Sequence, residues 1–263
     1  MCAPCEGGLL LMRRGRNGSR GLILKAVDGR NRWRARRVMT RDWGGLVDAG
    51  LTVGERIVLL GLDEADGTPR EQLRVGCAVA AAPLLDLVRS GRVVARDGGL
   101  ALTQEPPSDD PLASALAAQM RRAPEAKPQA WLLAVRDEAV TAAYEGLLAK
   151  GVVRQEGRKR LGVFGSHRYP PADPSVPAAL RAELSAVLLA GAEPATGTAE
   201  VITLLHRAGL DALALPDADP ARTAARMAEV AATLEPDGAV GDAVSAALAA
   251  VTVLLASIPG LTG

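Results

Sequence analysis

The chain has 263 residues, enough for one large domain or two small ones, and its 31 Lys and Arg stand against 30 Asp and Glu, so net charge alone indicates no partner. Six residues are aromatic while 48% are apolar, so the core has to be built from Ala, Leu and Val, which favours close-packed helices over a β-sandwich. His167 and His206 are too far apart for an HExxH site, and no GxxxxGK[ST] loop, GxGxxG turn or GxSxG elbow occurs, so zinc, nucleotide and serine-hydrolase chemistry are all set aside.

The first 50 residues hold 11 Lys or Arg against 4 acids, a net of +7, which leaves −6 for residues 51–263. Arg13-Arg14-Gly15-Arg16 and the six arginines of 30–41 alternate with Gly, Asn and Ser without apolar periodicity. Two readings stand side by side: a mobile basic arm for anionic lipid or nucleic acid, or upstream sequence joined to a protein that starts at Met39 or near Val53. The run 9–12 is too short for a signal peptide, and its charges follow it. Cys2 and Cys5 form a CxxC without a second pair and read as a near-terminal segment, while Cys77 reads as a buried small hydrophobe. Three thiols suit a reducing, cytoplasmic compartment, and neither a metal nor a cofactor is expected.

From residue 51 the punctuation becomes regular. Asp110-Pro111, Asp173-Pro174 and Asp219-Pro220 each place an N-cap acceptor before a proline suited to the first helical position. Helices are predicted over 70–90, where Pro83 must be absorbed, and over 111–122, 128–135, 137–150, 175–190, 196–208, 219–233 and 239–257. Gly151 and Gly209 stand where left-handed C-caps end helices. The apolar run 243–258 is too short to span a membrane and is expected as a central helix wrapped by the others. One segment breaks the pattern: 152–154 and 161–164 read as two short strands around a glycine-bearing turn. Residues 154–168 hold five basic groups and one acid, and the one Phe of the chain, Phe164, sits among them.

Several stretches in order resemble the Golgi phosphoprotein 3 family: ERIVLLGLDEADG at 55–67, Gly91-Arg92, SDDPL at 108–112, LLAKGVV at 147–153, LGVF at 161–164, RYP at 168–170, AGAEP at 190–194 and LLHRAG at 204–209. The first of these is taken as a strand-like opening motif. The match runs from about residue 53 to the C-terminus and leaves residues 1–50 outside it. The resemblance implies a mainly α, single multi-helix domain with a projecting β-hairpin. Eukaryotic members are peripheral membrane proteins that recognise phosphatidylinositol 4-phosphate and retain enzymes in the Golgi. Their ligand is held by a Trp and an Arg around the first core helix and by two basic residues three apart on the helix before the hairpin. Counting from Gly91-Arg92 puts Glu71 and Ala80 at the first two positions, and counting from Lys150 puts Asp137 and Val140 at the basic pair, so none carries over. The Ala-, Gly- and Arg-rich composition points to a high-GC bacterium, where a Golgi role cannot apply literally.

The leading expectation is a peripheral adaptor for an anionic phospholipid surface, on the inner face of the membrane, without catalytic activity. Its head-group candidates are Arg70, Arg74, Arg136, Arg158, Lys159, Arg160 and Arg168. Leu161, Val163 and Phe164 would form the apolar edge of the hairpin, against membrane or against a second copy in a homo-oligomer. A winged-helix reading of 137–150 plus hairpin is the nucleic-acid alternative, disfavoured because Arg136, Asp137, Glu138, Glu145 and Lys150 make a poor phosphate surface. For enzymatic use of the fold, Glu193, Asp211, Tyr144 and His206 are the proton-transfer candidates, and nothing in their spacing marks a catalytic residue.

Overall fold

The first described helix begins because Thr52 and Glu55 cap one another: the Glu55 amide donates to Thr52 Oγ1 at 3.2 Å and the Thr52 amide donates to Glu55 Oε2 at 2.7 Å. In this computed structural model, which describes residues 50–96, 99–106, 110–157, 167–234 and 238–256 (side chains to 250), that helix is α1, Val53–Leu60. The strand-like reading of this stretch is therefore corrected. A short apolar run such as Ile57-Val58-Leu59-Leu60 carries no period that separates strand from buried helix, and here the capping box decides.

Helix α2 follows at Gln72–Arg89, with Pro83 kept inside it. Its residues Gly76, Cys77, Ala78, Val79, Ala80 and Ala81 are all buried, and their small size lets neighbouring helices approach from several sides. A two-stranded antiparallel ribbon comes next, β1 Val93–Arg96 and β2 Gly99–Leu102, paired from Val93 with Leu102 to Arg96 with Gly99. Then come α3 Pro111–Arg122, α4 Pro128–Ala149, α5 Ser175–Leu188, α6 Thr196–Arg207, the single turn α7 Asp211–Ala214, α8 Pro220–Leu234 and α9 Ala239–Ala256. The mainly α class is thus observed.

The Asp-Pro devices work as the sequence predicts, with one shift. Asp110 accepts from the Ala113 amide at 2.9 Å and Asp219 from the Arg222 amide at 2.7 Å. Asp173 accepts one residue earlier, from Ser175, so that Pro174 becomes the cap residue itself. Gly151 and Gly209, both at φ 66°, take the left-handed conformation after α4 and α6. Helices expected at 128–135 and 137–150 are one continuous helix. Arg136, which the two predicted ranges leave between them, is a polar residue in the middle of α4.

The core is one cluster drawn from every long helix. Its centre is α2, which meets α1, α3, α4, α6, α9 and β1. The expectation of a central C-terminal helix is corrected in this respect. Helix α9 buries Val240, Ala243, Val244 and Ala247 against α2, α4 and α6, but exposes Asp242 and Ser245 on its other side. Over its described side chains, 239–250, cover lies on one face only. Among the described residues no helix is long and apolar enough to cross a membrane.

The hairpin expected to pair 152–154 with 161–164 is corrected in its register: the described bridges put the returning arm at 168–171. Val153 pairs with Pro171 and Glu156 with Arg168, both antiparallel. Residues 158–166, which include Arg158, Lys159, Arg160, Leu161, Val163 and Phe164, lie outside the described residues, as do residues 1–49 with Cys2 and Cys5. The β1–β2 ribbon is an addition: the sequence reading placed no strand at 93–102.

Candidate functional site

A single hydrogen-bonded loop, 61–70, joins α1 to α2 and forms one wall of the site. Asp63 organises it, accepting from the amides of Ala65 at 2.8 Å and Asp66 at 3.3 Å, while the Asp63 amide donates to the Thr68 carbonyl at 2.9 Å. Asp66 accepts in turn from the Thr68 amide at 2.9 Å. These bonds hold both carboxyls below their ordinary value of 3.8: the Ala65 amide is the leading cause at Asp63, and the hydrogen bond from the Thr68 side chain is the leading cause at Asp66. Gly67, at φ 69°, lies so close to the backbone of Tyr169 and Pro170 that a Cβ would overlap it, and its carbonyl accepts from the Tyr169 amide at 2.8 Å. The loop and the second arm of the hairpin base are thereby clipped together.

Behind this clip lies a cleft of about 730 Å³. Thr68, Pro69 and Arg70 form its loop wall, Gln72, Leu73, Val75 and Gly76 its α2 wall, Arg136, Asp137, Val140, Thr141 and Tyr144 its α4 wall, and His167 and Tyr169 close it from the hairpin base. Tyr144 and Tyr169 stack with ring centroids 4.2 Å apart. Burial pushes the Tyr144 phenol up to about 12, with Tyr169 adding to it, so the hydroxyl stays protonated. His167 faces Gln155 at 3.3 Å. No side chain caps the N-terminus of α2, where Glu71 sits left-handed at φ 46°. The positive end of an 18-residue helix therefore opens beside Arg70.

The structure brings part of the expected set together. Arg70 and Arg136 both line the cleft. The Arg136 stem crosses α2 where Gly76 leaves room: a Cβ there would stand 3.2 Å from Arg136 Cδ. Arg74 turns away, donating to the Gly209 carbonyl at 2.9 Å, and Arg168 stands outside the lining, 3.5 Å from Asp66. Every one of these arginines has an acidic neighbour. Arg70 pairs with Asp63, Arg136 with Asp137 at 2.9 Å and Arg74 with Glu71 at 3.7 Å. The four form a charge-compensated set rather than a bare cationic patch.

Of the positions counted against the family pattern, Asp137 and Val140 line the cleft and Glu71 stands at its α2 edge, between Arg70 and Gln72. Ala80 is wholly buried inside α2, where no side chain could reach a ligand. The proton-transfer candidates are not gathered. Tyr144 lies in the cleft, His206 in the last turn of α6 pairs at 2.7 Å with Asp211 at the start of α7, and Glu193 is exposed in the α5–α6 connection. Cys77 is fully buried, and burial pushes its thiol up. Tyr169, His167 and Thr141 were missed as site residues. The scarcity of aromatics was the available signal for Tyr169, but no sequence pattern ties residue 169 to residue 144.

Two other clefts carry less chemistry. One of about 820 Å³ lies between the ribbon and the α3–α4 turn, and one of about 710 Å³ lies beside Arg181 and Asp217. Size favours the first, but it contains none of the head-group candidates. No group of three or more His, Cys, Asp or Glu among the described residues could hold a metal ion.

The site is thus a surface cleft of a helical domain, lined by Arg70, Arg136, the start of α2 and the stacked Tyr144 and Tyr169. The chain matches the Golgi phosphoprotein 3 (GPP34) family model over residues 53–251, and it belongs to that family. No curated protein matches it.

Proposed function

We propose that this protein is a peripheral adaptor that docks on anionic phospholipid surfaces through the 61–70 cleft. The observation that carries the reading is the convergence of Arg70, Arg136 and the uncapped start of α2 on one cavity. Guanidinium groups give charge-assisted hydrogen bonds to phosphate oxygens, and a helix N-terminus adds favourable potential for an anion. Because both arginines already have carboxylate neighbours, the cleft by itself is a modest anion site. Arg158, Lys159 and Arg160, consecutive in the hairpin sequence, supply further attraction, each on the order of 1 kcal/mol near an anionic surface. The cytoplasmic face of a membrane is the setting this reading assigns.

Co-sedimentation of the full chain with phosphatidylcholine vesicles, with and without an anionic phospholipid, tests the proposal at low salt. Anionic vesicles are expected to retain the protein, and R70A/R136A and R158A/K159A/R160A are each expected to weaken retention. Equal sedimentation with neutral and anionic vesicles would overturn it.

A further inference from the structure

Within the head-group reading just given, on which this inference rests, we propose that the cleft selects a phosphodiester that carries a primary ammonium close by, and that Asp137 is the residue that reads the ammonium. The motive is the charge pattern of the lining. Arg136 Nη2 and Nε both lie on the same oxygen of Asp137, Oδ1, at 2.9 and 3.0 Å. Oδ2 has no protein partner among the described residues, and the Asp137 side chain is 87% exposed. A phosphate that reaches Arg136 is therefore brought next to a carboxylate with an open oxygen.

That arrangement penalises a multiply phosphorylated head group, because like charges at such separations repel. It rewards a zwitterion laid along the pair, with phosphate on the guanidinium and ammonium on Oδ2, so that opposite charges alternate. Two further features fit the same ligand. The stacked Tyr144 and Tyr169 line the cleft, and aromatic faces attract ammonium groups. Arg70, whose Nη2 is paired with Asp63 but whose side chain is more than half exposed, offers its other guanidinium N–H groups to a second negative group on the ligand, such as a carboxylate. Phosphatidylserine presents all three charges, whereas phosphatidylglycerol has the same net charge and no ammonium.

The test is a charge-matched comparison. The full chain is titrated with phosphatidylcholine vesicles that contain equal fractions of phosphatidylserine, phosphatidylglycerol or a phosphatidylinositol monophosphate, and separately with soluble glycerophosphoserine. Phosphatidylserine should be preferred over phosphatidylglycerol by about tenfold, the factor that one charge-assisted hydrogen bond supplies. D137N should abolish the preference, D137E should keep it, and D137K should reverse it toward the phosphoinositide. The exposure of Asp137 makes these variants compatible with folding. Equal binding to the serine and glycerol lipids, unchanged in D137N, would overturn the inference and leave the head-group reading standing. Binding of glycerophosphoserine without vesicle binding would keep the ligand chemistry and overturn the membrane source. Binding to none of the four would overturn both.

Discussion

Two residues show how local chemistry is held against intrinsic preference. Glu71 is the one described non-glycine residue at positive φ, a conformation that costs an ordinary side chain about 1 kcal/mol or more. Its ion pair with Arg74 spans 3.7 Å between two half-exposed groups and offsets little of that. Glu71→Gly should therefore raise stability by about 1 kcal/mol in urea denaturation. Glu55 is the opposite case. Its side chain is 5% exposed, capping Thr52 while Lys150 Nζ donates to Oε1 at 2.8 Å and Oε2 at 2.5 Å. Helix α4 makes room for this carboxylate with Gly146, where a Cβ would overlap Oε1. Gly146→Ala should cost about 2–3 kcal/mol through steric overlap in a packed site. Lys150→Met should cost a similar amount, about 2–3 kcal/mol, by leaving a buried charge without its partner. Neither requirement can be read from the sequence, since residues 55 and 146 meet only in the folded chain.

The elements were legible where a local signal ends or begins them. Asp110-Pro111 and Gly151 fix helix boundaries because cap and turn chemistry act within a few residues. The ribbon at 93–102 was not legible, because VVAR and GLAL are too short for alternation to register. The 61–70 loop belongs at this scale too, and its hydrogen bonds make a pH prediction. Asp63 and Asp66 both have folded values below 3.8, so their contribution is fully present above the unfolded value and is lost as pH falls through the lower folded values. Thermal stability should decline below about pH 4, and D63N/D66N should flatten that decline. Gly67→Ala tests the same element mechanically. It combines a positive φ with overlap on the Tyr169–Pro170 backbone, so faster hydrogen exchange at the Tyr169 amide is expected while the helices remain protected.

Across the whole molecule, the candidate site is assembled from 61–76, 136–144 and 167–169, three segments that composition and spacing leave unrelated. Sequence supplied the arginines but not their carboxylate partners, and it is the partners that change the reading from a cationic patch to a balanced cleft. In the proposed function the division of charge along the chain separates two roles. Affinity for an anionic surface would follow cationic charge, of which residues 1–50 hold a net of +7, whereas the proposal assigns head-group choice to the cleft. Replacing Arg30, Arg32, Arg34, Arg36, Arg37 and Arg41 with Gln moves the formal net charge from +1 to −5. Retention on anionic vesicles at low salt should fall, because each arginine near the surface contributes on the order of 1 kcal/mol, while the ratio between phosphatidylserine and phosphatidylglycerol should stay unchanged. Loss of that ratio in the arginine-depleted protein would place selection in residues 1–50 rather than at Asp137, and unchanged retention would show that these arginines take no part in surface attraction.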